Sequence, residues 1–163
     1  AWCTGQIILT SPRRVAARAA AERMAEMLGE KPGETVGYMT RLDSKVSART
    51  RILVVTEAIL VNRLVDDPEL PGVSAVLFDE AHERALDSDL GLALALETRA
   101  VLRDDLRLLV MSATIDGARF GRLLGEGVAI IESEGRSFPL TIKWLGGDAS
   151  QNIEDRVAAA VLT

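Results

Sequence analysis

Hydrophobic residues recur along the chain in two alternating patterns. Short runs of aliphatic and β-branched residues, apolar at nearly every position, predict strands covered on both faces, at residues 6–9, 35–38, 51–55, 75–78, 107–111 and 128–132. Longer stretches with apolar residues at helical spacing predict crossover helices between them, at residues 12–28, 57–65, 88–102 and 116–124. Ser11 followed by Pro12 is typical of a helix N-cap. The alternation predicts the α/β class, with a mostly parallel sheet between two helix layers.

The sequence changes character near its end. Residues 146–150, Gly-Gly-Asp-Ala-Ser, are typical of a flexible connector, and a new helical pattern begins at residue 152. We therefore expect one compact domain at residues 1–145, followed at residues 146–163 by a linker and the start of a next domain. The N-terminus lacks an initiator Met, so we expect the chain to begin inside a longer protein.

Composition excludes several classes of protein. Hydrophobic residues make up 48% and charged residues 26% of the chain, as in folded globular domains. No apolar run approaches the roughly 20 residues of a membrane-spanning helix, so no membrane partner is expected. The single Cys3 suits a reducing cytoplasm, where we expect the protein to be located. A net charge of −5 argues that any contact with nucleic acid is local.

Two carboxylates directly follow the apolar strand that ends at Phe78. Open α/β sheets bind ligands at the carboxyl edge of their strands. There, Asp79 can hold Mg²⁺ bound to nucleotide phosphates, and Glu80 can orient or deprotonate an attacking water. An acidic pair at this place is equally typical of a helix cap. His82, the single histidine, is by itself more often a packing or surface residue, so the segment alone leaves both interpretations open.

Two segments of the chain resemble motifs of the DEAH-box helicases. Asp79-Glu80-Ala81-His82, followed by Glu83-Arg84, is similar to motif II of that family. Leu109-Val110-Met111, a second apolar run, is followed by Ser112-Ala113-Thr114, which is similar to motif III. Taken alone, hydroxyl residues at a strand end are usually turn residues or helix caps.

The resemblance implies a fold and a set of roles. The fold would be a RecA-like, three-layer α/β/α domain, here truncated at its N-terminus. Catalytic roles would fall to Asp79, Glu80 and His82, with Asp79 and Glu80 also serving the metal. Ser112 and Thr114 would couple hydrolysis to strand separation.

Further upstream, two segments resemble the nucleic-acid-contacting motifs of the same family. Pro12-Arg13-Arg14 is similar to motif Ia, and a helix start with arginines suits phosphate binding. Arg18 and Arg23 extend the basic character, although a solvated basic helix face explains them as well. Thr56 lies in a segment similar to motif Ib, where Ala58 replaces the usual glycine. Thr56 could also be a simple helix cap.

Weaker similarities complete the match. Residues 35–41, Thr-Val-Gly-Tyr-Met-Thr-Arg, resemble a segment in which Arg41 would touch nucleic acid, although an ordinary surface arginine is an equal interpretation. Residues 132–140 resemble the segment that joins the first motor domain to the second. The similarities run in family order from residue 6 to residue 144, and they are greatest to the bacterial HrpB type.

The family's phosphate-binding loop, Gly-Lys-Ser/Thr, does not occur in the sequence. The resemblance implies Mg²⁺ and ATP as cofactors of the full-length protein, with neither tightly bound by this chain alone. It implies single-stranded nucleic acid, RNA before DNA, and a second RecA-like domain as partners. A non-catalytic interaction module derived from a helicase domain is the alternative. A related motor acting on duplex DNA or protein is a third possibility.

Overall fold

The computed structural model describes residues 3–113, 117–125, 127–133, 138–142 and 152–161. The strands are β1 (Gln6–Ser11), β2 (Val36–Met39), β3 (Ser44–Lys45), β4 (Ile52–Thr56), β5 (Val73–Phe78) and β6 (Arg107–Val110). The helices are α1 (Arg14–Met27), α2 (Glu57–Asp66), α3 (Leu86–Val101), α4 (Gly117–Leu124) and α5 (Ile153–Val161), with a 3₁₀ turn at Ala81–Glu83. Residues 1–130 form one compact unit, which carries the sheet, and residues 131–163 form another, which carries α5.

The strands form one six-stranded sheet in the order β3-β2-β4-β1-β5-β6. All neighbouring pairs are parallel except β2 and β3, which are antiparallel. Helices α1, α2 and α3 are crossover connections from β1 to β2, from β4 to β5 and from β5 to β6, whereas β2 is connected to its parallel neighbour β4 through β3. In the part of the chain that the structure describes, β6 pairs only with β5 and therefore borders the sheet.

Both faces of the sheet are covered, and strand β4 shows how. Its side chains alternate: Leu53 and Val55 pack in one hydrophobic cluster with helices α2 and α3, whereas Val54 packs in a second cluster with α1. On α1, three fully buried alanines at successive turns let the helix approach the sheet closely: Ala17, Ala21 and Ala25. The predicted α/β class with helices on both faces is thus confirmed.

Arg103 fixes the loop that leads into β5. Its guanidinium donates to the carbonyl oxygens of Glu69, Leu70 and Val73 at 2.8, 3.3 and 2.9 Å, and it forms an ion pair with Asp105 at 2.7 Å. Backbone carbonyl groups of this irregular stretch thereby gain a hydrogen-bond partner. Arg103 therefore holds the start of strand β5, in addition to the pairing of that strand with β1 and β6.

Five of the six predicted strands are present, displaced by one or two residues at their ends, and the four predicted helices are present as well. The strand predicted at residues 128–132 is wrong: this stretch is irregular, and Ile130 and Ile131 are 51% and 87% exposed. A β-branched run predicts a strand only where another strand lies beside it. The two-residue strand β3 has no hydrophobic pattern and was not predicted.

The N-cap predicted at Ser11 is also wrong. Ser11 is the last residue of β1, paired with Thr56, and Arg13 occupies the N-cap position of α1 without a capping side-chain bond. Ser11 is part of β1 because the sheet register pairs it with Thr56, so the helix begins two residues later than the sequence predicts. Helix α5 agrees with the pattern predicted from residue 152. The connector at 146–150 and residues 134–137 lie outside the described residues, and the domain boundary at 145 stays a prediction.

No helix in the described ranges is both long and apolar enough to cross a membrane.

Two glycines in this unit should respond oppositely to alanine. A Cβ on Gly37 would lie 2.5 Å from the Lys45 carbonyl oxygen and 3.0 Å from Thr50 Cγ2, whereas one on Gly91, inside α3, would meet Val61 Cγ2 at an ordinary 3.5 Å. We expect Gly37→Ala to lower the free energy of unfolding by about 1–3 kcal/mol. Gly91→Ala should raise it by about 0.5–1 kcal/mol, because alanine favours the helix. Urea unfolding of this chain measures both, and equal losses would contradict the assigned packing.

Candidate nucleotide and nucleic-acid site

The predicted site residues come together because four neighbouring strands end at the same level. In the parallel register, Ser11 of β1 lies beside Thr56 of β4, and Thr10 lies beside Phe78 of β5. Phe78 in turn lies beside Val110 of β6. The segments that follow these strands therefore leave the sheet at one carboxyl edge. This edge is where open α/β sheets bind ligands.

The loop after β5 has a strained backbone. Glu80 and Arg84 adopt left-handed conformations, with φ of 54° and 52°, on either side of the 3₁₀ turn Ala81–Glu83. Non-glycine residues in this region cost about 1–3 kcal/mol each and persist where surrounding contacts hold them. The Glu80 N–H donates to Asp79 Oδ1 at 2.9 Å, and His82 Nδ1 lies 3.3 Å from Glu80 Oε2. Of the predicted catalytic residues, Glu80 thus contacts both Asp79 and His82.

Backbone hydrogen bonds continue the pairing of β5 with β6 beyond the strands. The Met111 N–H donates to the Phe78 carbonyl at 2.8 Å, and the Ala81 N–H donates to the Met111 carbonyl at 3.1 Å. The segment that begins at Ser112 therefore leaves the sheet directly beside the Asp79–His82 loop, and the coupling role of Ser112 stays a prediction. Thr114 lies outside the described residues.

Predicted nucleic-acid contacts lie on the other side of that loop. Pro12, Arg13 and Arg14 follow β1, with both arginines exposed at the start of α1. Arg13 Nη2 is 3.3 Å from Glu83 Oε1, so an ion pair joins this segment to the loop after β5. Arg18 and Arg23 form ion pairs with Glu22 and Glu26 on their own helix, at 2.8 and 2.7 Å. These exposed pairs agree with the interpretation of the two arginines as part of a solvated helix face.

Thr56 and Arg41 extend the same edge in the opposite direction from β6. Thr56 is the N-cap residue of α2, as the interpretation as a helix cap requires, although its side chain makes no capping hydrogen bond. Arg41 is exposed and follows the end of β2, whose Met39 lies beside Val55 of β4. The edge thus runs from the basic and hydroxyl residues of β2, β4 and β1 to the carboxylates after β5.

Glu57 is a buried acidic residue whose environment the sequence did not reveal. It is the first residue of α2 and is only 8% exposed. Burial raises the pKa of its carboxyl group, and the carboxylates of Asp87, Glu83 and Asp89 raise it further, while a hydrogen bond with the Ser88 side chain opposes the shift. The sequence around Glu57 indicates only a plain acidic residue of a helix start, because Ser88 is remote in sequence.

The carboxylates suit a cation that is held mainly by other groups. Among the described residues, no group of three His, Cys, Asp or Glu side chains could hold a metal ion by itself. Asp79 and Glu80 supply two carboxylates at the sheet edge. Mg²⁺ bound to nucleotide phosphates commonly takes only one or two protein carboxylates and keeps several waters. The residues therefore fit Mg²⁺ that arrives with a nucleotide.

Comparison with known proteins gives consistent similarities. The chain is 52% identical over 156 residues to the ATP-dependent RNA helicase HrpB of Escherichia coli K12, covering 96% of this chain and 19% of that protein. It is 42% identical over 134 residues to the DExH-box ATP-dependent RNA helicase DExH1 of Arabidopsis thaliana, covering 82% and 13%. The chain therefore spans less than a fifth of the length of either relative. No family model matches the chain.

Solved structures agree with these relatives. A crystal structure of the E. coli DEAH/RHA helicase HrpB superposes with a TM-score of 0.85 and 52% identity, covering 96% of this chain and 20% of that one. A crystal structure of the E. coli DExH-box NTPase HrpB gives a TM-score of 0.77 and 50% identity, covering 96% and 19%. The predicted RecA-like fold is thereby confirmed.

The raised pKa of Glu57 predicts a specific pH dependence of stability. Because its folded pKa lies above the ordinary value of 4.5, the folded state binds more protons than the unfolded state between these two values. The stability of the fold therefore falls as pH rises through that window. Glu57→Gln cannot titrate, so we expect it to raise the free energy of unfolding at pH 7 and to change it little at pH 4.

Urea unfolding of this chain at a series of pH values measures the effect. Glu69→Gln, an exposed glutamate in the loop before β5, is the control and should leave the profile unchanged. Parallel profiles for Glu57→Gln and the unaltered chain would show that the carboxyl group titrates as if in water.

Proposed function

Because the chain belongs to the DEAH-box helicase family over the stretch that it shares with these relatives, we propose that it forms the hydrolytic and nucleic-acid-gripping edge of an ATP-dependent RNA helicase. The observation that carries the proposal is the shared level at which β4, β1, β5 and β6 end. This level brings Asp79 and Glu80 between Ser112 on one side and Arg13 with Thr56 on the other. A helicase motor needs its hydrolytic residues close to its nucleic-acid-binding residues, because ATP hydrolysis must change how the nucleic acid is bound.

The loop after β5 performs the hydrolytic part. When bound, Mg²⁺ neutralises charge on the phosphate oxygens of ATP, and Asp79 and Glu80 are the residues that would hold it. Glu80 orients the attacking water and accepts its proton. His82, 3.3 Å from Glu80 Oε2, holds that carboxylate in place. The left-handed backbone at Glu80 fixes the geometry in advance, which is what catalysis by positioning requires.

The gripping part lies along the ends of β1, β2 and β4. Arg13, Arg14 and Arg41 are exposed and offer guanidinium groups to phosphates, and Thr56 offers a hydroxyl group. Such contacts follow the backbone of a single strand and carry no base code. RNA is proposed as the natural strand because the relatives are named RNA helicases. A cytoplasmic location is part of the same proposal.

The full-length protein supplies what these residues lack. The sequence contains no Gly-Lys-Ser/Thr, the loop that cradles a triphosphate with backbone N–H groups and a lysine. We assign that loop, and a second RecA-like domain, to other parts of the parent protein. The same absence supports the alternative, a helicase-derived module that binds nucleic acid or protein without catalysis.

The proposal predicts negligible activity for the isolated chain. Without an anchored triphosphate, Asp79 and Glu80 have no substrate in position, and the entropic advantage of positioning is lost. A phosphate-release assay on the purified 163-residue protein, with ATP, Mg²⁺ and single-stranded RNA, should show no turnover above buffer. Robust turnover would contradict the assignment of the triphosphate loop to another part of the parent.

In the parent helicase, Glu80→Gln should abolish turnover. Loss of a general base typically costs about 10²–10⁴-fold in rate, while nucleotide binding should remain largely intact, because Glu80 is only one of the groups that would hold the nucleotide and its Mg²⁺. Single-stranded RNA should stimulate the unaltered parent more than single-stranded DNA. Steady-state ATP hydrolysis measures turnover and its stimulation, and a fluorescent nucleotide measures nucleotide binding. Glu69→Gln is the exposed control. Turnover that survives Glu80→Gln would refute its role, and a parent without any turnover would favour the non-catalytic module.

A further inference from the structure

Glu57 and Ser88 form a buried polar contact between two helices. Glu57 is 8% and Ser88 is 6% exposed, in a region that is otherwise filled by the apolar packing of α2 against α3. A buried carboxylate is costly unless hydrogen bonds or charges compensate it. The charged groups that act on Glu57 are all carboxylates, so the Ser88 side chain is its compensating partner. Such a contact fixes the relative position of the two groups more narrowly than apolar packing does.

Each end of this contact belongs to a segment with a different proposed task. Glu57 directly follows Thr56, whose backbone ends β4 beside Ser11 and whose side chain makes no capping hydrogen bond at the start of α2. Ser88 is the third residue of α3, which begins just after the strained Asp79–Arg84 loop. That helix start is held by the paired hydrogen bonds of Arg84 with Asp89, at 2.8 to 3.1 Å. The contact therefore joins the gripping residue to the hydrolytic loop.

We propose that Glu57 is a positioning residue. Through Ser88 it fixes the start of α2, which carries the Thr56 side chain, relative to the Asp79–His82 loop. RNA bound at Thr56 thereby changes the rate of ATP hydrolysis at that loop. The inference rests on the proposed helicase function. This role of Glu57 differs from a purely structural one. If Glu57 were only structural, the apolar packing of α2 against α3 would hold the two helices in place without it. Loss of the Ser88 partner can lower stability as well, because a buried polar group without a hydrogen bond is costly. Stability and coupling are therefore measured separately in the same variants.

The test uses the parent helicase and four variants. Glu57→Gln keeps the hydrogen bond without the charge, Glu57→Met keeps the volume without the hydrogen bond, Ser88→Ala removes the partner, and Glu57→Met with Ser88→Ala completes a double-mutant cycle. Glu22→Met, an exposed glutamate on α1, is the matched control. ATP turnover is measured against the concentration of single-stranded RNA, and thermal unfolding reports the fold.

We expect Glu57→Met and Ser88→Ala each to raise the RNA concentration for half-maximal turnover roughly fivefold, the typical effect of one buried hydrogen bond, with a smaller effect at saturating RNA. The double variant should be no worse than either single variant. Glu57→Gln should stay within about twofold of the unaltered protein, because its amide oxygen can still accept from Ser88. Should Glu57→Met fail to fold, Ser88→Ala carries the same comparison.

Three results would overturn the inference. They are additive losses in the double variant, loss by Glu57→Gln equal to that by Glu57→Met, and half-maximal RNA concentrations that stay unchanged in every variant. The unaltered parent distinguishes failure of the positioning role from failure of the proposed function. If RNA stimulates the unaltered parent normally and the variants have the same half-maximal RNA concentration as the parent, only the positioning role fails. If RNA does not stimulate it, the proposed function fails and the positioning role fails with it.

Discussion

The parallel register of the central strands is the constraint on which the rest of the structure depends. Strands β4, β1, β5 and β6 are buried on both faces or backed by helices, so a shift of one residue would turn apolar side chains to the wrong cluster. The register is therefore fixed by packing, and with it the level at which each strand ends. Residues that are far apart in sequence, such as Arg13, Thr56 and Asp79, become neighbours only because of this alignment.

Around this rigid sheet, the site combines fixed and exchangeable contacts. The strained loop at Glu80 and the hydrogen bonds of Met111 are held by the sheet itself. The ion pair of Arg13 with Glu83 is different, since its side chains are 76% and 37% exposed and such surface pairs contribute little to stability. A phosphate group can compete for Arg13 at small cost, whereas the loop geometry persists. Under the proposed function, the edge would bind and release a charged strand without a change in the backbone of the Asp79–His82 loop.

Much of this could be predicted from the sequence where one local pattern decides the outcome. Residues 75–78 are apolar at every position, because both faces of that strand are buried, and the carboxylates that follow had to lie at the sheet edge. Residues 128–131, Val-Ala-Ile-Ile, are also apolar at every position, but a local run does not reveal whether another strand lies beside it. Ser11 has the local pattern of a cap, whereas the register that places it in β1 is a long-range property. The pairing of Glu57 with Ser88 could not be predicted for the same reason.

Strand β6 borders the sheet, and this has a consequence for how the chain behaves in solution. Within the described residues its outer side faces no other strand, and Leu109, which points to one face of the sheet, is 48% exposed. Unpaired backbone groups along an apolar border are a template for pairing with another molecule. The border of β6 is therefore the place in this sheet where a strand could add, immediately beside Ser112 and the Asp79–His82 loop. A proline or charged residue on that border would block such an addition, because it removes a backbone donor or places a charge at the pairing edge.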